Sequence, residues 1–257
     1  MIRRFFAPPK LSGHFHHRFR IFVYNQLLEI NTRMLKLYLI RHGETQWNAE
    51  GRIQGHTDIE LNERGWEQAR RLAARMAGEG AFDAIYASPL RRALDTAALL
   101  GDALRLSVIS DARLIERSLG QLEGLTMNDI KEKFAEVHRA WHAGGVRPRI
   151  PDEEARELFV ERTRGFIQDM RARHHDGRVL AITHGGTINM LLLMGLKLDP
   201  EHPLPFHIDN ASLNLLQWDT RDARLRLLND TCHLSALSIP HSAFSQTNLK
   251  INASEMQ

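Results

Sequence analysis

Two histidines and two arginines in this chain stand where short apolar runs end. Arg41 and His42 follow the run Leu35–Ile40, and His184 with Gly185 follows Arg178–Thr183. Arg92 lies just past Phe82–Ala87, and Glu116 past Leu106–Ile109. These residue types suit one chemistry. A phosphate monoester is largely a dianion near neutral pH, and the forked donors of a guanidinium match its oxygens, so Arg41 and Arg92 suit a phosphate clamp. A neutral imidazole is a competent nucleophile, the candidate role of His42. A second imidazole, His184, could donate to phosphoryl oxygens as charge shifts during transfer. The leaving alkoxide needs a proton, which the carboxyl of Glu116 could supply. Gly185-Gly186 opens a helix whose backbone donors and dipole favour an anion.

The surrounding pattern supplies elements that would bring these groups together. Leu35–Ile40 reads as a short buried strand, and Phe82–Ala87, Leu106–Ile109 and Arg178–Thr183 as further strands. Asn62 caps a helix with Trp66, Ala69, Leu72, Ala73 and Met76 on one face, ending at Gly78. Ser88-Pro89 opens a helix to Gly101, with the proline in the first turn. Thr126 and Asp129 form a capping box before Ile130, Phe134 and Val137. Residues 144–151 form a loop before a long helix from about Asp152 to Arg173, and another helix runs from Gly185 through Leu193. Ser212–Trp218 and Arg224–Leu228 read as a closing hairpin. Alternating strands and helices predict an α/β fold: a three-layer α/β/α sandwich with a mostly parallel central sheet, over about 35–233. The reactive side chains then share the crevice beyond the carboxyl ends of the strands.

Composition narrows the class. The 257 residues are 43% hydrophobic and 25% charged, an ordinary balance for a globular protein. No apolar run is long enough to cross a membrane. Residues 1–34 carry six basic residues against Glu29, a surplus of five. The whole chain is +3, so the remainder is −2, and nucleic acid is not expected as a partner. That leader, with Pro8-Pro9 and His14, His16 and His17, reads as a disordered or upstream-start extension rather than a targeting segment, and 234–257 as a loosely held tail. The lone Cys232 excludes an internal disulfide, reads as a small partly buried residue and fits a reducing, cytoplasmic compartment. His138 and His142 have ligand spacing but no third ligand in view, and they read as surface residues. Trp66 and Phe166 read as core.

The run Leu-Tyr-Leu-Ile-Arg41-His42-Gly43-Glu44-Thr45-Gln-Trp47-Asn48 resembles the signature of the histidine phosphatase superfamily, the phosphoglycerate-mutase-like proteins. The likeness continues through Gln54-Gly55, Leu61-Asn-Glu-Arg-Gly65, Ala87-Ser-Pro-Leu-Arg-Arg92-Ala, Glu116-Arg-Ser-Leu-Gly120-Gln-Leu-Glu-Gly124, Thr-His184-Gly-Gly186 and Asn229-Asp-Thr-Cys-His233-Leu. It covers about 35–234, nearly everything but the ends. The resemblance implies that His42 becomes phosphorylated, that Arg41, Arg92 and His184 hold the phosphoryl group, and that Glu116 is general acid and then base. Asn48 and Gln54 match positions that contact the phosphoryl group or its neighbourhood. Glu44 would orient other groups. Glu123 would be structural, although spacing alone leaves a swap with Glu116 open.

The resemblance implies no metal and no cofactor. Its phosphatase branch implies a small phosphorylated metabolite as substrate, with a homodimer left open. The mutases of the family carry Arg-His-Tyr-Gly after the acid glutamate, where this chain has Arg117-Ser-Leu-Gly120. The segment 131–151 also lacks the paired arginines expected for a bisphosphorylated glycerate. A phosphatase is therefore expected. A cofactor-dependent phosphoglycerate mutase is the enzymatic alternative, and a phospho-ligand-binding pseudo-phosphatase the non-enzymatic one.

Overall fold

The computed structural model describes residues 34–143, 148–200, 206–219 and 222–235. Residues 1–33 and 236–257, and with them the leader, its histidine cluster and most of the tail, lie outside the described residues, as does Gly144-Gly145. Six strands form one sheet: β1 (Leu35–Arg41), β2 (Ala84–Ala87), β3 (Val108–Ser110), β4 (Arg178–Thr183), β5 (Leu213–Trp218) and β6 (Ala223–Asp230). Their spatial order is β3-β2-β4-β1-β5-β6. The pairs β2–β3, β2–β4 and β1–β4 are parallel, whereas β1–β5 and β5–β6 are antiparallel.

Side-chain alternation divides the core between the two faces. On β1, Leu35, Leu37 and Leu39 enter one cluster, and Tyr38 and Ile40 the other. On β4, Val179 and Ala181 oppose Leu180 and Ile182 in the same way. The first cluster is covered by Phe166, Ile167 and Met170 of α6 (Arg156–Arg173) and by Ile188, Leu191 and Leu192 of α7 (Gly185–Gly195). The second is covered by Leu72, Ala73 and Met76 of α2 (Glu63–Gly78) and by Ala93, Ala97 and Leu100 of α3 (Arg91–Leu104). This is the expected three-layer α/β/α sandwich. A short helix, α1 (Gln46–Ala49), follows β1. Helices α4 (Met127–Lys133) and α5 (Ala135–Ala143) pack Ile130 and Val137 on Leu122 and Ile150 in a separate cluster.

Several boundaries differ from the sequence reading. Pro89 precedes the first turn of α3, because Ser88-Pro89-Leu90 forms the bend that leaves β2 and Leu90 is the N-cap. The chain expected as one helix through Val137 is broken at Phe134, between α4 and α5. Helix α6 starts at Arg156, not Asp152. The preceding residues pair with another loop instead: Leu119 bridges Glu153, and the Glu154 N–H donates to the Ser118 carbonyl at 3.1 Å. Phe166 is fully buried as expected, whereas Trp66 is only half-buried and Cys232 is exposed. Among the described residues no helix is long and apolar enough to cross a membrane.

Candidate active site

The central parallel pair places the two histidines side by side. Arg41 at the end of β1 is in register with Thr183 at the end of β4, and the His42 N–H donates to the Thr183 carbonyl at 3.0 Å. His42 and His184 are therefore the next residues on adjacent parallel strands. Their ring centroids are 5.1 Å apart, and both side chains are almost fully buried. Burial, with the positive charges of Arg92 and Arg41, holds the His42 imidazole well below the usual histidine range. Its Nδ1 lies 2.6 Å from the Gly43 carbonyl, which can only accept. The neutral ring thus carries its proton on Nδ1 and keeps the Nε2 lone pair for attack.

The next strand over contributes Arg92, in the first turn of α3, and it is buried. Its Nη1 donates to the Thr57 carbonyl at 2.8 Å, its Nη2 to the Gly55 carbonyl at 2.9 Å, and its Nε to His184 Nδ1 at 3.2 Å. These bonds engage three of the five guanidinium donors and leave two for a ligand. Burial pulls the Arg92 pKa down to about 10, so it stays a cation at neutral pH. Burial also lowers the pKa of Arg41, against the opposing charges of Glu116, Asp209 and Glu44. Arg41 Nη1 donates to the Ile208 carbonyl at 2.6 Å, while its Nε is buried without a partner. An orphaned charged donor is costly, and an anion in the pocket would satisfy it.

His184 is likewise held well below the usual histidine range, by burial and by the charges of Arg92, His42, Arg41 and Arg162. Because Arg92 donates to its Nδ1, the neutral ring carries its proton on Nε2, 2.8 Å from Ser88 Oγ. In this arrangement its one N–H faces Ser88. Donation to a phosphoryl oxygen from Nδ1 would require that nitrogen to gain a proton and release Arg92.

Glu116 reaches the same pocket from the irregular segment after β3. Its Oε2 accepts from the Gly186 N–H at 2.8 Å and its Oε1 from the Arg117 N–H at 2.9 Å, with Thr187 Oγ1 at 3.2 Å. A Cβ on residue 186 would sit 2.6 Å from Oε1, so this approach needs a glycine. Glu123 has a different setting. Its carboxylate accepts from the His56, Thr57 and Leu119 backbone N–H groups and from the Thr57 and Ser118 hydroxyls, joining two loops. Burial pushes its pKa up, but those hydrogen bonds outweigh it and hold it below the ordinary carboxylate range. Glu116 thus lines the pocket, whereas Glu123 ties together two loops beside it.

Asn48 lines the pocket. Its Oδ1 accepts from the Thr45 N–H and from Asn210 Nδ2 at 3.1 Å. Gln54 also lines the pocket, with Oε1 buried and unpartnered. Gly185 lines it beside Arg41 Nε. Glu44 points away, towards Asn62 Nδ2 and the Arg64 guanidinium, where it ties down the start of α2. The sequence reading did not single out Ser88 and Thr187 as site residues. Both fall within a few positions of a strand end that it did identify, which was the available signal.

The pocket has a volume of about 1290 Å³. Its outer wall carries Arg52, Arg117, Arg149 and Arg156 against Glu153 and Glu157, with Trp141 and Phe206 as apolar surfaces. Among the described residues no three His, Cys, Asp or Glu side chains group as metal ligands, and His138 and His142 have only each other, with ring centroids 4.2 Å apart.

Comparison with known proteins fits this arrangement. Phosphoserine phosphatase 1 of Hydrogenobacter thermophilus is 34% identical over 201 residues, 78% of this chain and 95% of that protein. The metal-independent phosphoserine phosphatase of Arabidopsis thaliana is 30% identical over 227 residues, 88% of this chain and 94% of that one. A solved structure of a mycobacterial glucosyl-3-phosphoglycerate phosphatase complexed with VO3 superposes with a TM-score of 0.68 at 33% identity, covering 76% of this chain and 98% of that one. Residues 37–231 match the histidine phosphatase superfamily (branch 1), and this chain is a member of that family.

Proposed function

We propose that this protein is a phosphatase that hydrolyses small phosphate monoesters through a phosphohistidine at His42. The observation that carries the reading is the pair of buried neutral imidazoles, 5.1 Å apart, beside two guanidiniums with donors still open. Arg41 and Arg92 hold the phosphoryl oxygens, with Asn48, Gln54 and the Gly185 end of α7 around them. His42 Nε2 attacks phosphorus as the ester P–O bond breaks, and the Glu116 carboxyl gives its proton to the leaving oxygen. Water then attacks phosphorus as the bond to His42 Nε2 breaks, the Glu116 carboxylate takes a proton from that water, and inorganic phosphate leaves with the neutral imidazole restored. His184, beside the transferring group, accepts from Arg92 at Nδ1 and so aims that guanidinium; it donates to a phosphoryl oxygen once its Nδ1 gains a proton and releases Arg92.

Arg52, Arg117, Arg149 and Arg156 line the pocket with Glu153 and Glu157. Arg52 pairs with Glu50 and Arg117 with Glu153, and the net positive lining favours leaving groups that carry a carboxylate. Phosphoserine and glucosyl-3-phosphoglycerate, named for the relatives, have that character. Such metabolites belong in the cytoplasm, where a lone cysteine is at home. A nucleic acid or membrane partner has no part in this reading, and a homodimer is compatible with it.

The test is phosphate release from phosphoserine, 3-phosphoglycerate and p-nitrophenyl phosphate in the presence of EDTA. Full turnover in EDTA is expected, with a loss of at least about 1000-fold in His42→Ala, the scale seen when a covalent nucleophile is removed. Unchanged turnover in that variant, or strict dependence on added magnesium, would reject the mechanism. Isomerisation of phosphoglycerate much faster than phosphate release would point to the mutase instead.

A further inference from the structure

The general acid proposed above sits on a segment with no regular secondary structure, between two short 3-10 turns, Ala112–Leu114 and Gly120–Leu122. Proton transfer needs its donor placed within hydrogen-bond reach of the leaving oxygen. Helix α7 holds the Glu116 carboxylate, but the segment's own secondary structure does not fix the Glu116 backbone, so contacts from other elements must. We infer that Arg162 on α6 and Glu154, just before that helix, form a positioning pair that holds the Glu116 backbone in register with the nucleophile. This rests on Glu116 being the acid.

The guanidinium of Arg162 lies in the middle of the segment, with every donor engaged. Nη1 donates to the carbonyls of Arg113 at 2.8 Å and Ile115 at 2.6 Å. Nη2 donates to the carbonyl of Glu116 itself at 3.0 Å and to Glu154 Oε2 at 2.9 Å, and Nε donates to Glu154 Oε1 at 2.7 Å. The remaining carbonyl between 113 and 116, that of Leu114, accepts from Thr183 Oγ1 on β4. Thr187 Oγ1 on α7 also donates to the Ile115 carbonyl at 3.0 Å, and His56 Nε2 lies 2.8 Å from that of Glu116. Backbone acceptors that regular structure would satisfy are thus met by side chains, with Arg162 spanning three of the four.

Glu154 completes the arrangement from the other side. Its carboxylate takes two arms of the Arg162 fork, both partners being largely shielded from water at 18% and 14% side-chain exposure. Its backbone is tied to the same segment: its N–H donates to the Ser118 carbonyl, and its carbonyl accepts from Arg117 Nε at 3.1 Å. The face of Phe159 lies 4.7 Å from the Arg162 guanidinium carbon and fixes the plane of the fork. Only a planar group with five donors fits these acceptors. A lysine carries the charge but has three donors on a single nitrogen, and cannot reach all of them.

This assignment differs in one measurable way from a merely structural role. A misplaced acid harms esters whose leaving oxygen must be protonated. It spares p-nitrophenyl phosphate, whose phenolate departs without a proton. The parameter to compare is kcat/KM, which reports steps through leaving-group release, for phosphoserine and p-nitrophenyl phosphate.

In Arg162→Met the phosphoserine value should fall on the order of 100-fold, while the p-nitrophenyl phosphate value stays within about 3-fold. Arg162→Lys should follow the same pattern, because restoring charge does not restore the fork. Glu154→Gln should show it more weakly. If Arg162→Met does not fold, the other two variants decide the matter. Equal losses on both substrates, or full recovery in Arg162→Lys, would overturn the inference. Glu116→Gln is the control. If it discriminates between the substrates and the Arg162 variants do not, the positioning role fails alone. If it does not discriminate, the acid assignment fails and takes this inference with it.

Discussion

Neither His42 nor His184 has a carboxylate hydrogen-bonded to its ring among the described residues. Each lies among buried strand ends with Arg41 and Arg92 for neighbours. Burial and neighbouring cations both disfavour the imidazolium, so the shifts share a direction. In the free enzyme, NMR titration should find both rings still neutral at pH 6.5, the ordinary midpoint for histidine. The linkage follows in sign. The unfolded chain takes up protons that the buried rings refuse, so their contribution to stability is whole above pH 6.5 and is lost as pH falls below it. A midpoint for His42 at or above 6.5 would remove the reason for treating it as a ready nucleophile. That Arg41, His42, Arg92, Glu116 and His184 meet in one pocket could be anticipated from the sequence, because Arg41, His42 and His184 directly follow apolar runs and Arg92 and Glu116 lie a few residues past theirs. The tautomers could not, because they depend on Gly43, Ser88 and Arg92, and for His184 both partners come from another strand–helix unit.

Helix α2 does more than cover the sheet. Asn62 caps it by accepting from the Gly65 N–H at 2.8 Å, and it also donates to Glu44, two residues past His42. The backbones touch here. A Cβ on residue 65 would lie 2.0 Å from the Glu44 carbonyl oxygen, and one on residue 43 would lie 2.5 Å from that of Gly65. Gly65→Ala forces backbone against backbone and should cost about 1–3 kcal/mol of stability, read by thermal or denaturant unfolding. Gly186→Ala meets only the end of the Glu116 side chain, so it should lower kcat with a smaller change in stability. The reverse ranking would mean that these contacts are misassigned. The capping boxes and strand runs could be read locally. The start of α6 could not, because Glu153 and Glu154 pair with the Glu116 loop across a gap of more than 30 residues, and no local periodicity records that contact.

The strand order explains how residues scattered from 41 to 184 meet. β1 and β4 are central neighbours running in parallel, so His42 and His184 leave the sheet together. β2 sits on the far side of β4, and the connection after it starts α3 with Arg92 pointing back over the same edge. The chain then jumps from β4 across β1 to β5. Such a reversal opens a crevice at the carboxyl ends of the strands, the place where α/β sheets bind ligands. The sequence indicated this architecture because alternating strands and helices have few right-handed arrangements. It could not supply the arginine-lined outer wall, which gathers Arg52, Arg117, Arg149 and Arg156 from separate segments. In the proposed mechanism the phosphoryl group is carried in turn by the ester oxygen, by Nε2 of His42 and by the oxygen of water. The most direct measurement is rapid quenching of the enzyme during turnover of a 32P-labelled monoester, followed by peptide mapping under alkaline conditions that preserve phosphohistidine. A base-stable, acid-labile label on the peptide containing His42, absent in His42→Ala, is the predicted result. Label on any other residue, or turnover with no labelled enzyme under conditions where phosphoenzyme hydrolysis is rate-limiting, would contradict the account.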